Sequence, residues 1–153
     1  MALNRELPDI LQAIYKCMDI KGEKFAYALL KNKTLVENKL KSIYDIMKTS
    51  EEFNEYDKKR VELAEQYAKK DEDGNPKNDG KKYDIDNKEE FEKEVNKLKE
   101  ENAELIKKQE EKNKLYELEM DKESDVEFHK VKAIPQDISA RELEAVTKFM
   151  YKE

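Results

Sequence analysis

The residues whose types and spacing could do chemistry are concentrated in the stretch KDEDGNPKNDGKKYDID, residues 70–86. Asp71, Asp73 and Asn75 stand at alternate positions, the spacing with which an EF-hand loop presents its first three oxygens to Ca²⁺. The match stops there. Pro76 falls where that loop needs glycine, and Lys82 falls where it needs a bidentate glutamate. Asp73-Gly74 and Asp79-Gly80 are turn dipeptides, and short Asp and Asn side chains satisfy turn backbone on their own, so the segment reads as an ordered turn and not as a metal loop. His129 is the single histidine and Cys17 the single cysteine, which gives neither the four convergent ligands of a zinc site nor an internal disulfide. Cys17 reads as a small buried hydrophobe. No serine or cysteine has an identifiable base, and no glycine-rich phosphate loop is present. The residues therefore point to a protein that is not an enzyme and takes no cofactor and no metal.

The elements that must position this turn are helical. From Phe91 the positions Phe91, Val95, Leu98, Asn102, Leu105, Gln109, Lys112 and Tyr116 alternate in fours and threes without a slip, the heptad of a coiled coil, and predict a helix over 87–118. A second seam, Val36, Leu40, Ile43 and Met47, lies in a long helix over 23–69. Thr49 with Glu52 fits a capping box inside that span, but no Gly or Pro interrupts it, which favours near-continuity with a kink. A first helix over 8–20 opens on Pro8 and carries Ile10, Leu11, Ile14, Tyr15 and Met18 as its apolar stripe; Gly22 marks the joint after it. Tyr83-Asp84-Ile85 alternates like a strand, so 70–86 is expected to hold a small β-hairpin or ordered turn. Val126 and Phe128 alternate with charged or polar neighbours, which predicts a short strand or extended arm over 125–134, and Ser139 with Glu142 caps a last helix over 139–151, buried through Leu143, Val146, Phe149 and Met150.

Composition agrees with long helices and wide solvated faces. In 153 residues, 44% are charged and 37% apolar, with three glycines and three prolines. The net charge of -6 arises from interspersed signs, and Glu55/Lys59, Glu65/Lys69, Glu89/Lys93, Glu104/Lys108 and Glu110/Lys114 have the favourable i,i+4 order, each worth about 0.2–0.5 kcal/mol. A basic excess before Thr49 is too dilute for a nucleic-acid face, and the acidic excess after it is too interrupted by lysine for nucleic-acid mimicry, so no nucleic acid is expected as partner. No apolar run approaches the roughly 20 residues of a membrane span, and the N-terminus lacks a signal sequence, so the reading expects no membrane and a cytoplasmic location. The eight tyrosines fall on or beside the apolar stripes, where core packing is the default.

The fold class expected is mainly α: one elongated domain over 1–153, built as a long antiparallel, coiled-coil-like helical hairpin. Its tip is the small β-hairpin or ordered turn, and the short first helix, the short strand or arm and the last helix cover its open end. Two helices leave part of each stripe uncovered, which predicts a homo-oligomer, dimer or higher. Asn102, Gln109 and Lys112 occupy seam positions, where polar groups either fix register or leave the shaft loose and wet.

Four stretches, FAYALLKNKTLVENKLKSI (25–43), EYDKKRVELAEQYAKKDEDGNP (55–76), YDIDNKEEFEKEVNKL (83–98) and DISARELEAV (137–146), together resemble small uncharacterised proteins encoded by tailed phages and prophages of Gram-positive bacteria. The resemblance implies a phage origin, hence the host cell cytoplasm, and a helix–turn–helix hairpin; it supplies no activity and no catalytic residues. The function expected is a non-enzymatic helical module that binds a host or defence protein. The alternative is a virion-assembly component, a scaffold or an assembly chaperone. As a protein-binding surface the turn comes first, through Asp73, Asn75, Asp79 and Tyr83, because loops set on rigid scaffolds often carry function.

Overall fold

The computed structural model describes residues 2–151, and it is mainly helical. Among these residues there are six α-helices: α1 (Leu7–Lys16), α2 (Glu23–Ile46), α3 (Glu51–Tyr67), α4 (Lys88–Glu101), α5 (Ala103–Met120) and α6 (Ala140–Met150), with a single 3₁₀ turn at Asn4–Glu6 ahead of them. None of these helices is long and apolar enough to cross a membrane. The chain divides into two compact units, residues 1–47 with 114–153, and residues 48–113.

The first unit contains nearly all of the core. Leu7, Ile14 and Cys17 from the α1 region, Phe25, Leu29, Val36 and Leu40 from α2, and Val146, Phe149 and Met150 from α6 form one buried cluster. Proline at the start of α1 suits a helix whose first N–H groups have no intrahelical partner. The helix stops at Lys16, earlier than residue 20. The turn that follows brings Cys17 inside and leaves Met18 exposed, so the stripe expected to include Tyr15 and Met18 is cut to Ile10, Leu11 and Ile14. Gly22 sits at φ 130, a backbone conformation that L side chains rarely adopt, which is why the joint before α2 falls on a glycine. The N-terminus is tied to the end of α5: Asn4 donates its backbone N–H to Lys122 O (2.9 Å) and its side-chain amide to Glu119 O (2.8 Å), and Arg5 pairs with Asp121. Tyr44 of α2 stacks on Tyr116 of α5, and Lys39 of α2 bridges Glu119 and Asp125.

The segment over 125–134, read from sequence as a short strand or extended arm, forms no strand: it has no regular structure over 125–130, bends at Lys132 and Ala133, and makes one isolated parallel bridge, Val131 with Tyr151. It is held instead by a buried side chain. Asn32 of α2 accepts from His129 N (2.7 Å) and donates to His129 O (3.0 Å), so one amide takes the place of a neighbouring strand. Phe128 packs against Phe149, and the His129 ring meets Tyr27 edge-on.

The second unit is thinner. Only Tyr56 and Ala68 are fully covered among its apolar side chains, while α3 lies along α4 with Tyr67 against Phe91. The chain does not run helically through Thr49. α2 ends at Ile46, and Ser50, not Thr49, caps α3 by accepting from Phe53 N (3.2 Å); the Thr49 hydroxyl donates to Asn54. Two adjacent hydroxyl residues offer two cap registers, and the one that closes on Phe53 is adopted. Replacing Ser50 with alanine is expected to cost about 1 kcal/mol, measured as a shift of the urea midpoint at constant slope; a change under a few tenths would show that this cap is dispensable.

The heptad also divides. Asn102 ends α4, its side-chain amide donating to Leu98 O (2.8 Å), and α5 begins at the next residue. The polar residue in that seam position therefore interrupts the helix. Lys112, another polar seam residue, donates to Lys48 O (2.9 Å) just past the end of α2. Even so, all eight heptad residues from Phe91 to Tyr116 are half-buried, while most positions between them are exposed. The seam remains the covered face on both sides of the break.

Candidate functional site

The turn joining α3 to α4 is ordered by its own polar groups. Between Ala68 and Ile85 the backbone makes isolated antiparallel bridges, Ala68–Ile85, Lys70–Pro76 and Asn78–Tyr83, and no strand is formed among the described residues. Two tight turns carry the reversals. Asp71 Oδ1 accepts from the backbone N–H of Asp73 (3.0 Å) and Asn75 (2.8 Å), and Asp79 Oδ1 accepts from Lys81 (2.9 Å) and Lys82 (2.8 Å). Gly74 and Gly80 follow with φ of 82 and 86, the conformation each reversal requires. Long-range backbone bonds from Lys69 to Asp84 O, from Lys77 to Lys69 O and from Asp86 to Tyr67 O (2.7, 2.7 and 2.9 Å) lock the two turns to the helix ends.

The four residues read as a surface thus play two roles. Asp79 and Tyr83 are pins: Asp79 closes its turn, and the Tyr83 hydroxyl donates to Glu65 on α3 at 2.7 Å. Asp73 and Asn75 are exposed, and their side chains make no bond within the turn; their backbone does, both N–H groups donating to Asp71 Oδ1 and the Asn75 carbonyl accepting from Asp71 N–H. The backbone N–H groups of Lys82 and then Lys81 hold the Asp79 carboxyl below its usual range, while the hydrogen bond to Glu65 pushes the Tyr83 hydroxyl up. A depressed carboxyl stabilises the folded turn at pH above its unfolded value and ceases to do so as pH falls through the folded one. An NMR titration is therefore expected to give Asp79 a midpoint below 3.8, with the Lys81 and Lys82 amide signals moving in step. A midpoint at or above that value would show that these bonds are not made in solution.

Polar side chains sealed in the first unit, Asn4, Asn32 and Ser124, act on backbone there and form no convergent constellation with a second titratable group. The Cys17 thiol is covered, burial pushes its pKa up, and its Sγ lies 3.8 Å from Glu142 O. A buried, protonated thiol is a poor nucleophile. Along the same unit runs an open groove of about 1100 Å³, with Ile10 and Ala13 of α1, Val126 and Phe128 of the arm, and Phe149 of α6 among its lining. The sequence reading did not find this groove. Its one signal was the period-two alternation at Val126 and Phe128, which places both on one side of the arm.

Apolar side chains also remain on the outside. Leu115 and Leu118, one turn apart on α5, are 56% and 62% exposed, and Leu30 and Leu35 of α2 are exposed as well. Of the five i,i+4 pairs expected from sequence, Glu89–Lys93 closes at 3.2 Å, whereas Glu65 takes Tyr83 and Lys69 takes Asp84. Searches of protein-family models, of curated proteins and of solved structures gave no match to this chain.

Proposed function

We propose that this chain is a non-enzymatic, phage-type helical module that works by binding another protein, a host or defence component. The observation that carries the reading is the pair Leu115 and Leu118, large apolar side chains left more than half exposed on a helix otherwise rich in charge. The turn supports it from the other unit. In this reading α3 and α4 act as an antiparallel hairpin whose self-bonded tip presents Asp73 and Asn75 without the entropy cost of ordering a loose loop. Uncovered leucines also favour self-association, a dimer or higher.

The test is affinity capture by the full chain, at low salt, from lysate of the bacterial host, alongside two variants: Leu115→Glu with Leu118→Glu, and Asp73→Lys with Asn75→Lys. One protein retained by the parent chain and lost with either variant is the expected result. Capture of no specific protein, or capture indifferent to both variants, overturns the reading. Stable high-order oligomers, or the protein within purified particles, would favour a scaffold or assembly chaperone instead, a reading for which the exposed leucines serve equally well.

A further inference from the structure

The arm over 125–134 is pinned along one edge. Within an extended chain, the N–H and C=O of one residue point to the same side and those of its neighbours to the other. Asn32 takes both groups of His129, which fixes the edge bearing residues 125, 127 and 129 against α2. Among the described residues the opposite edge, bearing residues 126, 128 and 130, is open: Phe128 makes no backbone hydrogen bond to any of them, and neither do the carbonyl of Val126 or the N–H of Lys130. Val126, Phe128 and Lys130 also line the groove, so this stretch of the arm borders a trough of mixed polar and apolar lining. A row of unpaired backbone groups beside alternating apolar side chains is the template an added strand requires.

The charges along the trough say what kind of strand. Lys16, Lys130 and Lys148 line it, and neither Lys16 nor Lys148 has an ion-pair partner among the described residues. The lining carries three lysines against two carboxylates, Glu6 and Asp9, and the Glu6 carboxylate is held back toward its own turn by accepting from Leu3 N. In a chain of net charge -6, this is a local cationic excess beside the apolar side chains of Val126 and Phe128.

We infer that the groove binds an extended peptide segment of a partner protein, paired through its backbone to Val126–Lys130, with apolar side chains at alternate positions and carboxylates at its flanks. The inference shares with the proposed function only the premise that this chain binds protein. It concerns a surface separate from Leu115, Leu118 and the turn, and its test needs no cellular partner.

The probe is a short acetylated peptide alternating valine and threonine with glutamate at each end, added to the ¹⁵N-labelled full chain. The amide signals of Phe128 and Lys130 are expected to shift and their hydrogen exchange to slow. The same peptide N-methylated on the amides that would pair should fail to bind. Exchanging the end glutamates for lysine should weaken binding about fivefold or more, and the exposed-site variant Lys148→Glu should reverse that preference. Amides that stay unmoved with the peptide at millimolar concentration, or equal binding by the N-methylated peptide, would overturn the inference; indifference to the end charges would remove the carboxylate preference. Failure here with successful lysate capture rejects the groove alone, and the converse rejects the functional reading alone.

Discussion

Replacing Asn32 with alanine is expected to lower the stability of the first unit by about 2–4 kcal/mol, more than loss of a single hydrogen bond between exposed groups. The side chain is fully covered and makes two bonds, to the N–H and the C=O of His129, at 2.7 and 3.0 Å. Its removal leaves both backbone groups of His129 without their partner in a part-buried setting and opens a cavity in α2, and each group left unsatisfied away from water costs about 1–3 kcal/mol. Water entering the vacated volume would recover part of this, which sets the lower end of the range. The loss should be local in origin: the arm detaches from α2, and the contacts of Phe128 with Phe149 and of His129 with Tyr27 loosen with it. Two readouts separate this from a general loss of packing. Urea unfolding gives the magnitude, and hydrogen exchange at His129 should accelerate more than exchange in the middle of α2. A loss below about 1 kcal/mol, or uniform acceleration across the unit, would mean that the arm is held by its apolar side chains and that the amide is incidental.

Asn32 also shows where reading residues in order reaches its limit. The helices were legible because apolar period and capping are local properties: the Ser139–Glu142 box is formed in both directions, at 3.3 and 2.8 Å, and Val146, Phe149 and Met150 are the buried edge of α6. The heptad residues are the half-buried ones for the same reason. Asn32 was visible too, seated between Leu29 and Val36 at seam spacing, but its meaning lies in His129, a residue 97 positions away. Nothing local distinguishes a polar seam residue that grips a distant backbone from one that caps its own helix, as Asn102 does at Leu98. The same gap explains the turn. Asp and Gly spacing gave the reversals, whereas the choice between a ladder and isolated bridges depends on bonds such as Lys77 to Lys69 O, set by how the two helix ends meet. Of the candidate surface, the segment was legible from composition; the division into pins and free side chains was not, because Tyr83 needs Glu65 across the helix to become one.

Truncating Leu29 to alanine should cost about 2–5 kcal/mol, whereas the same truncation at Leu98 should cost about 1 kcal/mol or less. Leu29 is 1% exposed and belongs to the cluster shared by α1, α2 and α6, so its loss leaves a cavity that close-packed neighbours fill only in part. Leu98 is only half-buried, on α4 in a unit where Tyr56 and Ala68 are the sole fully covered apolar side chains, so water replaces the lost methyl groups with little cavity term. The contrast has a consequence for the native state. Amides in the middle of α2 should exchange through the deepest opening of the chain, while those of α3 and α4 exchange through shallower openings and faster by orders of magnitude. Leu29→Ala should then speed exchange in α1, α2 and α6 together. Leu98→Ala should act on α3 and α4 and leave the first unit unchanged. Equal costs at the two sites, or acceleration that spreads across both units from either one, would show that a single cooperative core holds the chain and that the thin second unit draws its stability from contacts outside itself.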